Sequence, residues 1–392
     1  MDKLRIFYAS DNTPNSELDS SIWRLNLFCS LQDLGHEIVE FDYDLREIFR
    51  NLDFTDPIQN QFIQQHKAKT SQVLLEQIRF EHSKKPINFF FSYFYDACVT
   101  PETIDEIRSM GIKTINWYCN ASYQLHLVAE ISPHYDFCLV PEKFRLADYK
   151  AIGANPVYFQ EAANPRIYKP YSVPYEYDVS FVGQKYGNRA EFIHFLNQHS
   201  VNVRVWGTGW LPKPVDAKNA VSTWVKLREV LKTRDGIKKI TSKLKRMITS
   251  SRYRLPHQIC GNPLSDQEMV EMFNRSKINL GFSVVGETYS TTDPIKQIRL
   301  RDFEIPMSGG FYMTEYFPEL EDFYEIGKEI VCFTDKADLL HKVIYYLEHP
   351  DEREQIRWAG FKRAQKYHSW QKRFADLFDM ISGKEMADEK TL

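Results

Sequence analysis

The residues best suited to chemistry lie in the second half of the chain, in the run Arg301-Asp-Phe-Glu304-Ile-Pro-Met-Ser-Gly309-Gly310. A carboxylate accepts two hydroxyl hydrogen bonds at once, so Glu304 suits a ligand that carries neighbouring hydroxyls. Proline is best tolerated in a first helical turn, so Pro306 is expected to place Glu304 near a helix N-terminus. There a plainer role is also open to it, that of a carboxylate offsetting the helix dipole. Consecutive glycines let backbone amides approach a ligand, which makes Gly309 and Gly310 anion-binding candidates, while a helix cap would account for one of them. Gly183, in a strand-to-helix turn, and Arg189, at the start of the next helix, can bring amides and a guanidinium to a diphosphate. Arg299 and Arg301 are rival phosphate ligands, and a surface arginine after a tight turn is the alternative for Arg189. Gly207-x-Gly209-Trp210 follows an apolar strand and forms another glycine turn, although Trp210 can equally belong to a core.

Alternating strands and helices must hold these residues. A buried strand over 4–9 is followed by Leu18, Ile22, Leu25, Phe28, Leu31 and Leu34 at helical spacing, until Gly35 ends the helix. Further strands are expected over 37–41, 88–94, 113–118 and 136–140, with a helix entered at Pro101 and another stopped by Gly153. Pro156, Pro165, Pro170 and Pro174 punctuate the end of this series. A second series has strands over 177–182, 201–206, 278–282, 311–314 and 329–333, and helices over 190–199, 266–275, 351–366 and 370–381. Strands separated by helices imply parallel sheets with right-handed crossovers. The expected architecture is α/β, with two Rossmann-like doubly wound domains at 1–170 and 171–366 facing a cleft. A final segment, 367–392, carries a helix that returns toward the first domain. Ligands bind such sheets at the strand C-termini.

Composition narrows the classes. A chain of 392 residues, 43% hydrophobic and 26% charged, is globular and longer than one core usually organises. Its formal net charge of -3 provides no global attraction to polyanions, so nucleic acid is not expected as a partner. Six scattered cysteines without a C-x-x-C pair argue against a disulfide framework or a zinc site, and fit a reducing cytoplasm. The histidines show no H-x-x-x-H spacing, so no metal is implied. No apolar run approaches the roughly 20 residues of a spanning helix. The first strand-to-helix loop, 10–15, lacks G-x-G-x-x-G, which disfavours a nicotinamide or flavin dinucleotide.

In order and spacing, a set of short motifs resembles the CgeB-type glycosyltransferases, which are related to the group-one glycosyltransferases. The motifs are Asp178-Val-Ser-Phe-Val-Gly183 with Arg189, Val205-Trp-Gly207-Thr-Gly209-Trp210, Ser276-Lys-Ile-Asn-Leu280, the run from Arg301 to Gly310, Gly327-Lys-Glu329, Glu352-Arg353, Ala359-Gly360, His368 and Arg373. The resemblance spans both halves and is densest over 178–373. It implies the GT-B architecture and a UDP-, GDP- or dTDP-sugar donor as substrate, with no permanent cofactor and no obligatory metal. It also implies that Glu304 holds the donor ribose. Lys296 stands where many related retaining enzymes carry a second Glu, which leaves the donor-sugar contacts and the stereochemistry open.

The acceptor side falls to the first half. Asn120 ends a strand where the family often has Asp, and an amide cannot act as a general base. Asp96, after the strand over 88–94, and Asp11 are then the candidate bases, although each also suits a loop or cap. The reaction expected is transfer of a sugar to a hydroxyl of a glycan, lipid-linked or protein acceptor, in surface or secreted glycan synthesis. The departing diphosphate would be stabilised by amides and arginine. A nucleotide-sugar epimerase on the same fold and a non-catalytic glycan- or nucleic-acid-binding protein are the rival readings. An insertion at 212–256 contains thirteen Lys or Arg against three acids over 213–254, with apolar residues at rough helical spacing. It reads as a docking segment for an anionic membrane, on the inner face for a cytoplasmic protein, or as a solvated helical insertion.

Overall fold

The computed structural model describes residues 3–11, 22–211 and 253–383. Two six-stranded sheets, each parallel throughout, organise them. The first has the order β2-β1-β3-β4-β5-β6, built from β1 Arg5–Ala9, β2 Glu37–Glu40, β3 Phe89–Ser92, β4 Lys113–Trp117, β5 Phe137–Val140 and β6 Pro156–Tyr158. Parallel strands covered on both faces read as continuous apolar runs, and β1 and β3 are buried at every position. Helices α1 Ser30–Asp33, α2 Arg46–Arg50, α3 Pro57–Lys84, α4 Pro101–Ser109, α5 Ala121–Gln124 and α6 Leu146–Ala151 connect them.

Helix α3 and strand β6 are additions to the sequence reading. Asp56 caps α3, its carboxylate accepting the amides of Ile58 and Gln59 at 2.9 and 3.0 Å, and Pro57 occupies the first helical position. The helix buries Ile63, Thr70, Ser71, Leu74 and Ile78. Two of those five are polar, so the apolar stripe is too broken to register as a helix. Strand β6 is three residues long and opens on Pro156, which masks it as a linker.

The second sheet has the order β12-β11-β10-β7-β8-β9, with β7 Tyr177–Val182, β8 Val203–Trp206, β9 Cys260–Gly261, β10 Ser276–Leu280, β11 Tyr312–Glu315 and β12 Val331–Phe333. Its helices are α7 Arg189–Gln198, α8 Asp266–Arg275, α9 Leu300–Met307, α10 Lys336–Glu348 and α11 Pro350–Tyr367, and α12 Trp370–Ile381 ends the described chain. A reciprocal cap of Ser265 and Glu268 starts α8. The strand order reverses beside β1 in the first sheet and beside β7 in the second, which is where open parallel sheets form ligand crevices.

Helix α12 packs Trp370, Phe374, Leu377 and Phe378 into the core of the first sheet, with Trp370 edge-on to Trp117 at 5.5 Å. Its Arg373 is fully buried and lies over Phe303 and Phe323 of the second half, at 5.6 and 5.5 Å. One helix thereby braces both halves. Residues 212–252, and with them nearly all of the basic segment 213–254, lie outside the described residues. No described helix is long and apolar enough to cross a membrane.

Candidate active site

Three arginines gather at the strand ends of the second sheet. The Gly183 amide, just after β7, donates to Trp206 O at 2.8 Å, and its carbonyl accepts Trp210 Nε1 at 2.7 Å. The Lys185 amide donates to Thr208 O at 2.9 Å, so the loops after β7 and β8 are tied together. Gly207 has φ of 139°, and a Cβ there would sit 2.3 Å from Gly183 O; only glycine permits that approach. Gly209, also at positive φ, completes the turn. These glycines shape two touching loops.

Arg189 opens α7 at 8% exposure. Its guanidinium donates to Gln184 O at 2.8 Å and Tyr186 Oη at 2.7 Å, and stacks 3.7 Å from the centre of the Tyr186 ring. Burial pulls its pKa down to about 10, which leaves it charged at neutral pH. Arg301 donates from Nε to Val182 O at 3.3 Å, and Arg299 from Nη2 to Val284 O at 3.0 Å in the loop after β10. Both lower the pKa of Arg189 through space. Glu304 offsets the charge of Arg301; the like charges that remain repel one another, and an anion relieves that repulsion.

Helix α9 differs from its expected form. Pro306 sits in its last turn, not its first, and Glu304 is in mid-helix with 0% exposure. The first-turn acid is Asp302, whose Oδ2 accepts the Arg299 amide at 2.6 Å and whose Oδ1 accepts the Tyr312 hydroxyl at 2.5 Å. A dipole-offsetting role therefore belongs to Asp302. Glu304 accepts the Tyr168 hydroxyl at 2.5 Å on Oε1 and pairs with Arg301 through Oε2. A ribose reaches Glu304 only at its remaining lone pairs or by displacing Tyr168.

Gly309 and Gly310 are corrected as anion ligands. Gly309, at φ of 71°, donates its amide to Pro306 O at 2.9 Å, and Gly310 donates to Ile305 O at 2.9 Å. This is the paired C-terminal cap of α9, and it uses both amides. The two residues also precede β11, at the pole opposite the strand C-termini. A Cβ on Gly310 would meet Asn279 Nδ2 and Ile305 Cγ2, each at 2.9 Å, which explains the second glycine by packing. Gly360 has a similar reason: a Cβ there would lie 2.2 Å from Glu329 O.

The expected residues of the first half have separate surroundings. Asp96 follows β3 as expected, but it is 4% exposed and its two oxygens accept the amides of Glu130 and Ile131 at 3.1 and 3.0 Å. Burial raises its pKa to about 6, and with both oxygens engaged by backbone amides its geometry is that of a loop brace. Asn120 precedes α5, and its Oδ1 accepts the Tyr123 hydroxyl at 3.3 Å. Asp11, after β1, acts electrostatically on Arg46, beyond β2.

Two carboxylates that the sequence reading passed over lie closer to the arginines. Glu142, two residues after β5, is 2% exposed; its Oε1 accepts the Ser122 amide at 3.2 Å, and its Oε2 is buried without a hydrogen-bond partner among the described residues. Burial pushes its pKa up to about 7, against the opposing pull of Arg299. Glu161, after β6, accepts the Leu300 amide at the start of α9, and burial raises its pKa to about 8, with Glu142 adding to the rise. An acid two residues after the apolar strand 137–140 is a legible signal for Glu142, whereas Glu161 follows the one strand of this sheet that composition hides.

Residues 189–379, a little under half of the chain, match the family described as Glycosyl transferase-like. Comparison with curated proteins yields no match. Among solved structures, the chain is similar to sucrose-phosphate synthase from Thermosynechococcus elongatus, with a TM-score of 0.57, 11% identity and coverage of 97% of this chain and 99% of that one. It is similar to a glycosyltransferase from Rickettsia africae, with a TM-score of 0.55, 10% identity and coverage of 98% and 100%. A third is Anabaena HepE in complex with UDP-glucose, with a TM-score of 0.54, 10% identity and coverage of 97% and 100%. The chain has the α/β fold of the GT-B glycosyltransferases, and its second half is similar to the Glycosyl transferase-like family.

Proposed function

We propose that this protein transfers a sugar from a nucleotide-sugar donor to an acceptor hydroxyl, with the donor on the second sheet and the acceptor on the first. The observation that carries the reading is the convergence of Arg189, Arg299 and Arg301 where β7 and β10 end, at the reversal of strand order. Arginine offers a planar, permanently charged fork to phosphate oxygens. Three of them supply the charge needed to stabilise a departing diphosphate, so the proposed transfer is metal-independent. Glu304 is the proposed ribose contact, reached past Tyr168. HepE, similar in fold, binds UDP-glucose, which favours UDP among the candidate bases.

The motifs support a CgeB-type enzyme within this class, working on a glycan, lipid-linked or protein acceptor in surface or secreted glycan synthesis. Residues 213–254 would dock it on an anionic membrane through their cationic excess. The test is chromatography of UDP-, GDP- and dTDP-sugars incubated with the protein, with and without cell-envelope glycans. Acceptor-dependent release of a nucleoside diphosphate is the expected result. Conversion of the donor sugar without acceptor would favour an epimerase, and inertness toward all three donor classes would contradict the proposal.

A further inference from the structure

The cleft face of the first half holds a buried acid and an exposed ring side by side. Glu142 is fixed on one side by the Ser122 amide at 3.2 Å, which leaves Oε2 as a buried acceptor without a partner among the described residues. Tyr123, the next residue after Ser122, is 60% exposed, so its ring is open to contact from outside the fold. Its hydroxyl donates to Asn120 Oδ1 at 3.3 Å, which ties it to the residue that precedes α5. Glu142 and Tyr123 act on each other electrostatically, and both feel Arg299 from the opposite half. The pair therefore faces the arginine cluster across the cleft. Asp96 and Asp11, the acids expected to serve as base, have other surroundings.

We propose that Tyr123 and Glu142 form the acceptor subsite, the ring stacking against the face of an acceptor sugar and Glu142 Oε2 taking the proton of its attacking hydroxyl. This inference rests on the sugar-transfer reading. As the acceptor oxygen bonds to the anomeric carbon, the bond from that carbon to the diphosphate oxygen breaks. The bonding pair leaves with the diphosphate, and the acceptor proton passes to Glu142. The raised affinity of the buried carboxylate for a proton suits that transfer near neutral pH.

The experiment measures transfer from UDP-glucose to a panel of methyl hexosides, alongside UDP binding by calorimetry, for wild type, Glu142→Gln, Tyr123→Ala and Tyr123→Phe. Glu142→Gln retains volume and an acceptor for the Ser122 amide. It is expected to lower kcat by about 10²- to 10⁴-fold with UDP affinity within about threefold of wild type. Tyr123→Ala is expected to raise the hexoside KM about tenfold or more with little change in kcat, and Tyr123→Phe to restore it, as a stacking platform requires. A kcat for Glu142→Gln within about threefold of wild type, or a hexoside KM untouched by Tyr123→Ala, overturns the subsite. Absence of binding by UDP, GDP and dTDP alike in wild type overturns the sugar-transfer reading itself.

Discussion

On the second half's side of the cleft, three guanidiniums are held by backbone carbonyls and by turns that only glycine can make; on the first half's side, two carboxylates sit in low-dielectric surroundings that favour their protons. The difference is one of chemistry as well as of sign. Cations fixed before the ligand arrives suit a group that is always anionic, such as a diphosphate. Acids whose pKa lies near neutrality suit a hydroxyl that must lose a proton. It also explains why the motifs crowd into one half. Close backbone approaches constrain residue type tightly, whereas a buried acid needs only a strand end and a lid.

The largest expected effect breaks the glycine-locked side. Gly207→Ala forces a Cβ against Gly183 O at a positive φ, and strain plus overlap should cost roughly 3–5 kcal/mol, read from urea melts. A loss below about 1 kcal/mol would mean that the two loops are free to separate.

Next comes the acid side, through pH. Glu142 and Glu161 bind protons more tightly folded than unfolded, so their contribution to stability is complete below the unfolded value near 4.5 and is lost as pH rises through about 7 and about 8. For Glu142 that amounts to about 3 kcal/mol. Glu142→Gln, which cannot ionise, should gain on wild type by up to about that amount between pH 5 and pH 8. A stability difference that does not change with pH would remove Glu142 from its low-dielectric setting.

Glu304 lies between the two regimes, since it is an acid within the cationic side. Glu304→Gln weakens its bonds to Arg301 and Tyr168 and should cost about 2 kcal/mol, with donor affinity falling by one to two orders of magnitude. Stability lost without affinity would assign the residue to bracing alone. The smallest effect is expected at Gly309→Ala, about 1 kcal/mol from the left-handed backbone, with nucleotide affinity unchanged because its amide caps α9. A tenfold fall in affinity would restore the phosphate role that its cap denies.

Much of the fold was legible because it is written in periodicity. Strand β7 and helix α8 fall where the apolar pattern puts them, over 177–182 and 266–275. Helix α3 escaped because its buried stripe includes Thr70 and Ser71, and β6 because it opens on proline. The site was harder to read. Gly207 and Gly309 look alike as letters, yet one permits two loops to touch at the strand ends and the other closes a helix at the far pole. Pro306 pointed to a first turn, whereas an eight-residue helix tolerates it in the last. Asp96 and Glu142 both follow strands of the first sheet, and only their partners separate a brace from an acid with an oxygen to spare.

The central claim is that the arginine side of the cleft receives a nucleoside diphosphate, and calorimetric titration with UDP, GDP and dTDP tests it most directly. One of the three should bind wild type and raise its stability by about 2.7 kcal/mol at ~100 times its Kd. Arg299→Ala and Arg301→Ala should each weaken that binding about tenfold or more. Failure of all three nucleotides to bind, or unchanged affinity in both variants, would contradict the account.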